Sequence, residues 1–173
     1  MSKIIIADSS PLIAFGRIDQ LSVLFQVFGK VIIPSVVADE CLTDMTRPGA
    51  IAISQAIDNA LIQINNQTTE SEKNELLEIL DPGEAAAISL ASALHAPLLI
   101  DEKLGRQVAT QLGLKIIGTV GVLLLAKQKN ILSKVEPIFA HLRDGHYFLS
   151  DKLVEEALIR AGEKFISPSE SIG

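Results

Sequence analysis

The chain has 173 residues, 48% hydrophobic and 21% charged, which is the length of one domain and too apolar a composition for disorder. Aromatics make up 4%, with no Trp and one Tyr, so the core is expected from Ile, Leu, Val and Ala, without a base-stacking surface of exposed rings. The single cysteine, Cys41, excludes an internal disulfide and a cysteine-based zinc site, and the net charge of −6 argues against broad adhesion to nucleic acid.

Lys3–Ala7 reads as a first, buried strand, and Asp8 interrupts it before it reaches the length of a signal-peptide core. A helix is expected after Pro11, then one near 20–26 whose Leu21, Leu24, Phe25 and Phe28 form an apolar face. That face is assigned to the core, with a homodimer as the weaker use. Lys30–Ile33 is the second strand, followed by helices over 34–44 and 48–60 and a strand at Leu61–Ile64. Residues 66–80 are polar and acidic and suggest a short exposed helix or a mobile excursion. A helix over 82–95, a strand at Pro97–Ile100, a helix over 102–112, a strand at Lys115–Ile117 and a helix over 119–129 follow. Beyond Asn130 the rhythm stops, leaving helices near 134–143 and 150–162, the second capped by Ser150, and a tail at Ser167–Ser171 expected to fray. Strands without polar alternation, alternating with helices, predict an α/β protein with a parallel sheet covered on both sides. The longest apolar run is the seven residues Val120–Ala126, far short of a membrane span. The expectation is a soluble cytoplasmic protein with no membrane association.

In open parallel sheets, ligands bind beyond the carboxyl ends of the strands. Asp8 closes the first strand there and Asp101 the fourth, although either is also a candidate helix cap. In the helix opened by Pro34, steps of 100° place Glu40 between Val36 and Val37, on the side expected to be buried, with Asp39 opposite. A carboxylate so placed needs a cation or strong donors. Glu84 follows Asp81 in a capping-box pattern, yet its helix is Ala-rich nearly all round and so packed on most sides. Four acids in these positions suit a hard divalent cation, which takes oxygen ligands and neutralises charge on a phosphoryl group.

Charge is also segregated: residues 35–102 carry twelve acids and two bases, whereas 103–134 carry six bases and no acid. Either phosphate-binding cations stand beside the acids, or two solvated helix faces follow one another. Arg106 is a candidate phosphate ligand or a surface ion pair, Lys103 is assigned to solvent, and Cys41 is expected to be a buried, structural thiol.

Ile6-Ala7-Asp8-Ser9-Ser10-Pro11-Leu12-Ile13 resembles the opening strand, turn and helix of PIN-domain nucleases. Pro34-Ser35-Val36-Val37-Ala38-Asp39-Glu40 is similar to their second motif, and Asp81-Pro82-Gly83-Glu84-Ala85 and Leu99-Ile100-Asp101-Glu102-Lys103 complete the order. With Gly118-Thr119-Val120-Gly121, the pattern resembles the toxin-type, VapC-like branch. The resemblance implies a three-layer α/β/α sandwich with sheet order 3-2-1-4-5, a nuclease domain over 1–130 and a C-terminal helical extension over 131–173 packed on it. It implies a ribonuclease using Mg²⁺ or Mn²⁺ on single-stranded or structured RNA, with an antitoxin partner. Asp8, Glu40, Glu84 and Asp101 map onto the acidic positions, and Ser9, Arg106 and Thr119 are candidates for the substrate phosphate. A noncatalytic interaction module on the same fold is the competing expectation. A phosphoaspartate chemistry is disfavoured, because Ser10 stands where a second Asp would be needed, and no Gly-rich phosphate loop follows the first strand.

Overall fold

The computed structural model describes residues 3–68 and 70–164. Five short strands, β1 (Ile4–Ala7), β2 (Lys30–Ile33), β3 (Ile62–Ile64), β4 (Leu98–Leu99) and β5 (Ile116–Ile117), form one parallel sheet in the order β3-β2-β1-β4-β5. The central strand is β1: Ile5 lies opposite Val31 on one side, and Ile6 opposite Leu98 on the other. Ten helices among the described residues run between and after the strands: α1 (Ser9–Arg17), α2 (Leu21–Phe28), α3 (Ser35–Leu42), α4 (Ala50–Asp58), α5 (Glu70–Leu77), α6 (Pro82–Leu94), α7 (Lys103–Gln111), α8 (Thr119–Gln128), α9 (Glu136–Asp144) and α10 (Asp151–Arg160).

Successive strand side chains point to opposite faces, and both faces are covered. Ile5, Ala7, Val31, Ile33 and Leu99 pack with residues of α1–α4 and α8–α10, while Ile6, Ile32 and Leu98 pack with residues of α5–α7. Burial on two sides is why these strands are continuous apolar runs rather than alternating ones. The apolar face of α2 goes to the core: Leu21, Leu24 and Phe28 are buried, and Phe25 packs against them.

Two helix starts at prolines differ from the expectation. The first helix starts at Ser9, not after Pro11, because proline is tolerated within a first turn whose N–H groups have no intrahelical acceptor. Pro34 stands just before α3 rather than at its first helical position. Residues 66–80 carry the short, largely exposed helix expected there, α5, which buries only Leu76, with Leu80 just beyond it also buried.

The C-terminal helices join the same core as the sheet's first face, through Val135, Ile138, Phe139, Leu142 and Ala157. Glu163 fastens them. Its carboxylate accepts from the N–H groups of Val135 (2.9 Å) and Glu136 (3.1 Å) at the start of α9 and from Lys127 Nζ of α8 (2.9 Å). Ser150 caps α10, its Oγ accepting from the Leu153 N–H at 3.1 Å. The tail at 167–171 lies outside the described residues. No helix among the described residues is long and apolar enough to cross a membrane.

Candidate active site

After β1 the chain turns into two diverging halves, β2 and β3 on one side and β4 and β5 on the other. Asp8 stands at that divergence, its N–H donating to the Leu99 carbonyl at 3.0 Å. It occupies the cap position of α1 in extended conformation, but its side chain makes no capping hydrogen bond. The residue is 3% exposed, and its Oδ1 is the one buried side-chain oxygen or nitrogen among the described residues without a hydrogen-bond partner. Burial pushes its pKa up to about 6; the Ser9 N–H opposes the rise, and the charges of Asp81, Glu40 and Asp101 add to it. A buried carboxylate with an orphaned oxygen, surrounded by like charges, is costly to keep ionised unless positive charge offsets it.

Glu40 lies on the inward side of α3, half-buried, while Asp39 is exposed. Ser9 Oγ donates to its Oε2 at 2.6 Å. Its carboxylate rests against the first turn of α6, where a Cβ on Gly83 would fall 2.4 Å from Oε1. Only glycine leaves that space open. Asp81 caps α6 by accepting from the Glu84 N–H at 2.9 Å, as the capping-box pattern leads one to expect. Glu84 itself is buried, and its pKa is pushed up to about 7 by burial, then by the charges of Asp81, Asp8 and Glu102.

Asp101 follows β4 and does not cap α7, whose cap position is Glu102. It receives three donors instead: the Thr119 N–H on Oδ1 (2.8 Å), and the Thr119 hydroxyl (2.6 Å) and the Tyr147 hydroxyl (2.5 Å) on Oδ2. A carboxylate at the N-terminus of α8 also meets the positive end of that helix. Gly118 permits the approach, since a Cβ there would lie 2.9 Å from both Asp101 Oδ1 and Arg106 Nη1.

The structure thus gathers the charges of Glu40, Glu84 and Asp101 around Asp8, with Asp81 as a fifth acid. It does not close them into a cage: among the described residues no three His, Cys, Asp or Glu side chains are placed to hold a metal ion together. The expected phosphate contacts lie differently. Ser9 and Thr119 direct their hydroxyls to Glu40 and Asp101, and Thr119 is fully buried. Arg106 donates from Nη1 to the Ile100 carbonyl at 2.8 Å and, with Lys103, Gln107 and Thr110, lines an open groove of about 790 Å³ leading away from Asp101. Cys41 is buried, and burial, then the charges of Glu40 and Asp8, push its thiol up to about 12, so it is no nucleophile. Tyr147 is the partner of Asp101 that sequence reasoning missed. Its one signal was being the only tyrosine in the chain, while 46 residues separate it from Asp101.

Comparison with known proteins agrees with this architecture. A family model described as a PIN domain (DUF3368) matches residues 4–163, continuing through the C-terminal helices. No curated protein and no solved structure gives a significant match. With nearly the whole chain matched, and acids placed at the carboxyl ends of the two strands that flank the divergence of the sheet, the chain belongs to the PIN-domain family.

Proposed function

We propose that the chain is a divalent-cation-dependent endoribonuclease of the toxin-type, VapC-like PIN branch, with Asp8, Glu40, Glu84 and Asp101 as its acidic centre. PIN domains are generally nucleases. The observation that carries the reading is Asp8, whose orphaned, buried Oδ1 stands among like charges beyond the central strand. The donor set is all oxygen, as Mg²⁺ and Mn²⁺ require. Mg²⁺ is usually held by one or two carboxylates together with water and substrate phosphate oxygens, so a preformed cage of three side chains is not needed. Such an ion, when bound, neutralises charge on the phosphoryl group and makes water a competent nucleophile.

The remaining work belongs to the chain. Asp8 supplies the direct oxygen ligand, and Glu84, with its raised pKa, gives up its proton when positive charge arrives. Glu40 and Asp101 are held in orientation by Ser9 and Thr119, which we therefore assign to the carboxylates rather than to the substrate. Arg106, anchored on the Ile100 carbonyl, keeps further N–H groups for a phosphate in the groove along α7. Hydrolysis in one step would leave 5′-phosphate and 3′-hydroxyl ends. An antitoxin partner would act by covering the acidic cleft, and a homodimer is checked by light scattering.

The test is cleavage of end-labelled single-stranded RNA. Activity should require Mn²⁺ or Mg²⁺ and stop in EDTA. Cleavage that persists in chelator sinks the reading, and Mn²⁺ binding without cleavage of any RNA favours the noncatalytic interaction module.

A further inference from the structure

Tyr147 lies in the link between α9 and α10, outside the four motifs that carry the acids. That link is clamped. The Tyr147 N–H donates to the Leu142 carbonyl at 2.9 Å, closing the end of α9. The Arg17 guanidinium of α1 donates to the Gly145 carbonyl, and a Cβ on Gly145 would lie 2.9 Å from Arg17 Cδ. On the other side, Arg143 Nη2 donates to the Leu149 carbonyl at 2.8 Å and to Asp151 Oδ1 at 2.9 Å. His146 turns the chain with φ of 65°. The residues that follow alternate: Tyr147 and Leu149 are turned toward the body of the protein, and Phe148 between them is 87% exposed.

So held, the phenol donates to Asp101 Oδ2, which already accepts from the Thr119 hydroxyl, whereas Oδ1 accepts only from the Thr119 N–H. Each carboxylate oxygen has about two lone-pair sites. Two donors therefore fill Oδ2, and the open site is left on Oδ1. Thr119 alone pins the carboxylate along one edge; the third donor, from a separate element, fixes which way the group is turned.

We propose that Tyr147 is a positioning residue, which holds Asp101 so that Oδ1 is the oxygen offered to a divalent cation and makes the α9–α10 link part of the active centre. This rests on the metal-centre reading above and deepens it. Partners that orient a ligating carboxylate typically contribute 10–100-fold in metal affinity or activity. With Thr119 retained, the lower end of that range is expected here.

The experiment pairs two readouts on wild type, Tyr147→Phe and Phe148→Ala. The first is Mn²⁺ affinity by isothermal titration. Tyr147→Phe should weaken binding about 10-fold with a melting temperature lowered by no more than about 4 °C, while Phe148→Ala binds as wild type does. The second is the Thr119 amide in the metal-free protein, followed by nitrogen-15 NMR. Its resonance should shift and its exchange quicken in Tyr147→Phe as Asp101 loosens, and stay put in Phe148→Ala. Unchanged Mn²⁺ affinity in a Tyr147→Phe protein, or an unmoved Thr119 amide, overturns the proposal. If wild type takes up no Mn²⁺, the metal-centre reading fails by itself; a Thr119 amide that still moves then upholds the hold on Asp101, and one that does not move overturns that too.

Discussion

Replacing Asp8 with Asn should stabilise the metal-free protein. Burial and neighbouring acids raise the carboxyl from its ordinary 3.8 to about 6, a shift of about two units, or ~3 kcal/mol, against the ionised form in the fold. The sign follows from the raised folded-state value. Asp8 stabilises the fold fully only below its unfolded pKa near 4, and that contribution is lost as pH rises through about 6. Asn removes the charge at equal size but introduces N–H donors into a buried place, which offsets part of the gain. At roughly 2–4 °C per kcal/mol for a chain of this length, a melting temperature higher by about 3–6 °C is expected at pH 7.5 in EDTA. The difference should shrink toward zero at pH 4. Thermal unfolding followed by circular dichroism across that range measures it, with Asp39→Asn as the control because Asp39 is exposed on α3, next in sequence to Glu40. A lower melting temperature for Asp8→Asn at pH 7.5, or a gain that Asp39→Asn reproduces, refutes the account of the cluster.

Three further outcomes follow. Glu84, raised to about 7, is protonated below that pH and then resists a cation, so Mn²⁺ affinity should fall as pH drops through about 7; Glu84→Gln should bind more weakly at pH 8 and with a flatter pH dependence in the same titration. Gly83→Ala places a methyl 2.4 Å from Glu40 Oε1 and should cut RNA cleavage by about 10-fold or more by moving that carboxylate, while the protein remains folded by circular dichroism. Phe139→Ala, at a buried position that joins α9 to the core, should cost about 3–5 kcal/mol in urea unfolding; a loss under ~1 kcal/mol would mean that the C-terminal helices pack more loosely than described.

The sheet was legible because parallel strands buried on two faces are written as short β-branched runs, and Asp81-Pro82 marks the start of α6 in both capping chemistry and proline placement. Helical angles told Glu40 from Asp39, half-buried against exposed, but not the buried face of α3 itself, which is Val37, Ala38 and Cys41 with Val36 and Glu40 at its edge. What was not legible is direction and distance. A hydroxyl beside an acid in sequence, as at Ser9, can serve a substrate or another acid, and only the packing of α1 against α3 brings it to Glu40. The role of Thr119 depends on β5 lying next to β4, which carries the start of α8 to Asp101. The Tyr147 contact depends on where α9 docks, which no local pattern encodes. The polar run at 66–80 was legible as a short exposed helix but not for what holds it: Leu76 and Leu80 are too few to show a buried side by periodicity, yet both are buried.

The most direct test of the central claim is a crystal soaked with Mn²⁺ and measured at the manganese absorption edge. An anomalous peak about 2.0–2.3 Å from Asp8 Oδ1 is expected, in keeping with ligand distances for small hard cations, and it should vanish in Asp8→Asn. Saturating Mn²⁺ that leaves Asp8 Oδ1 bare, or that binds equally well in Asp8→Asn, would contradict the account.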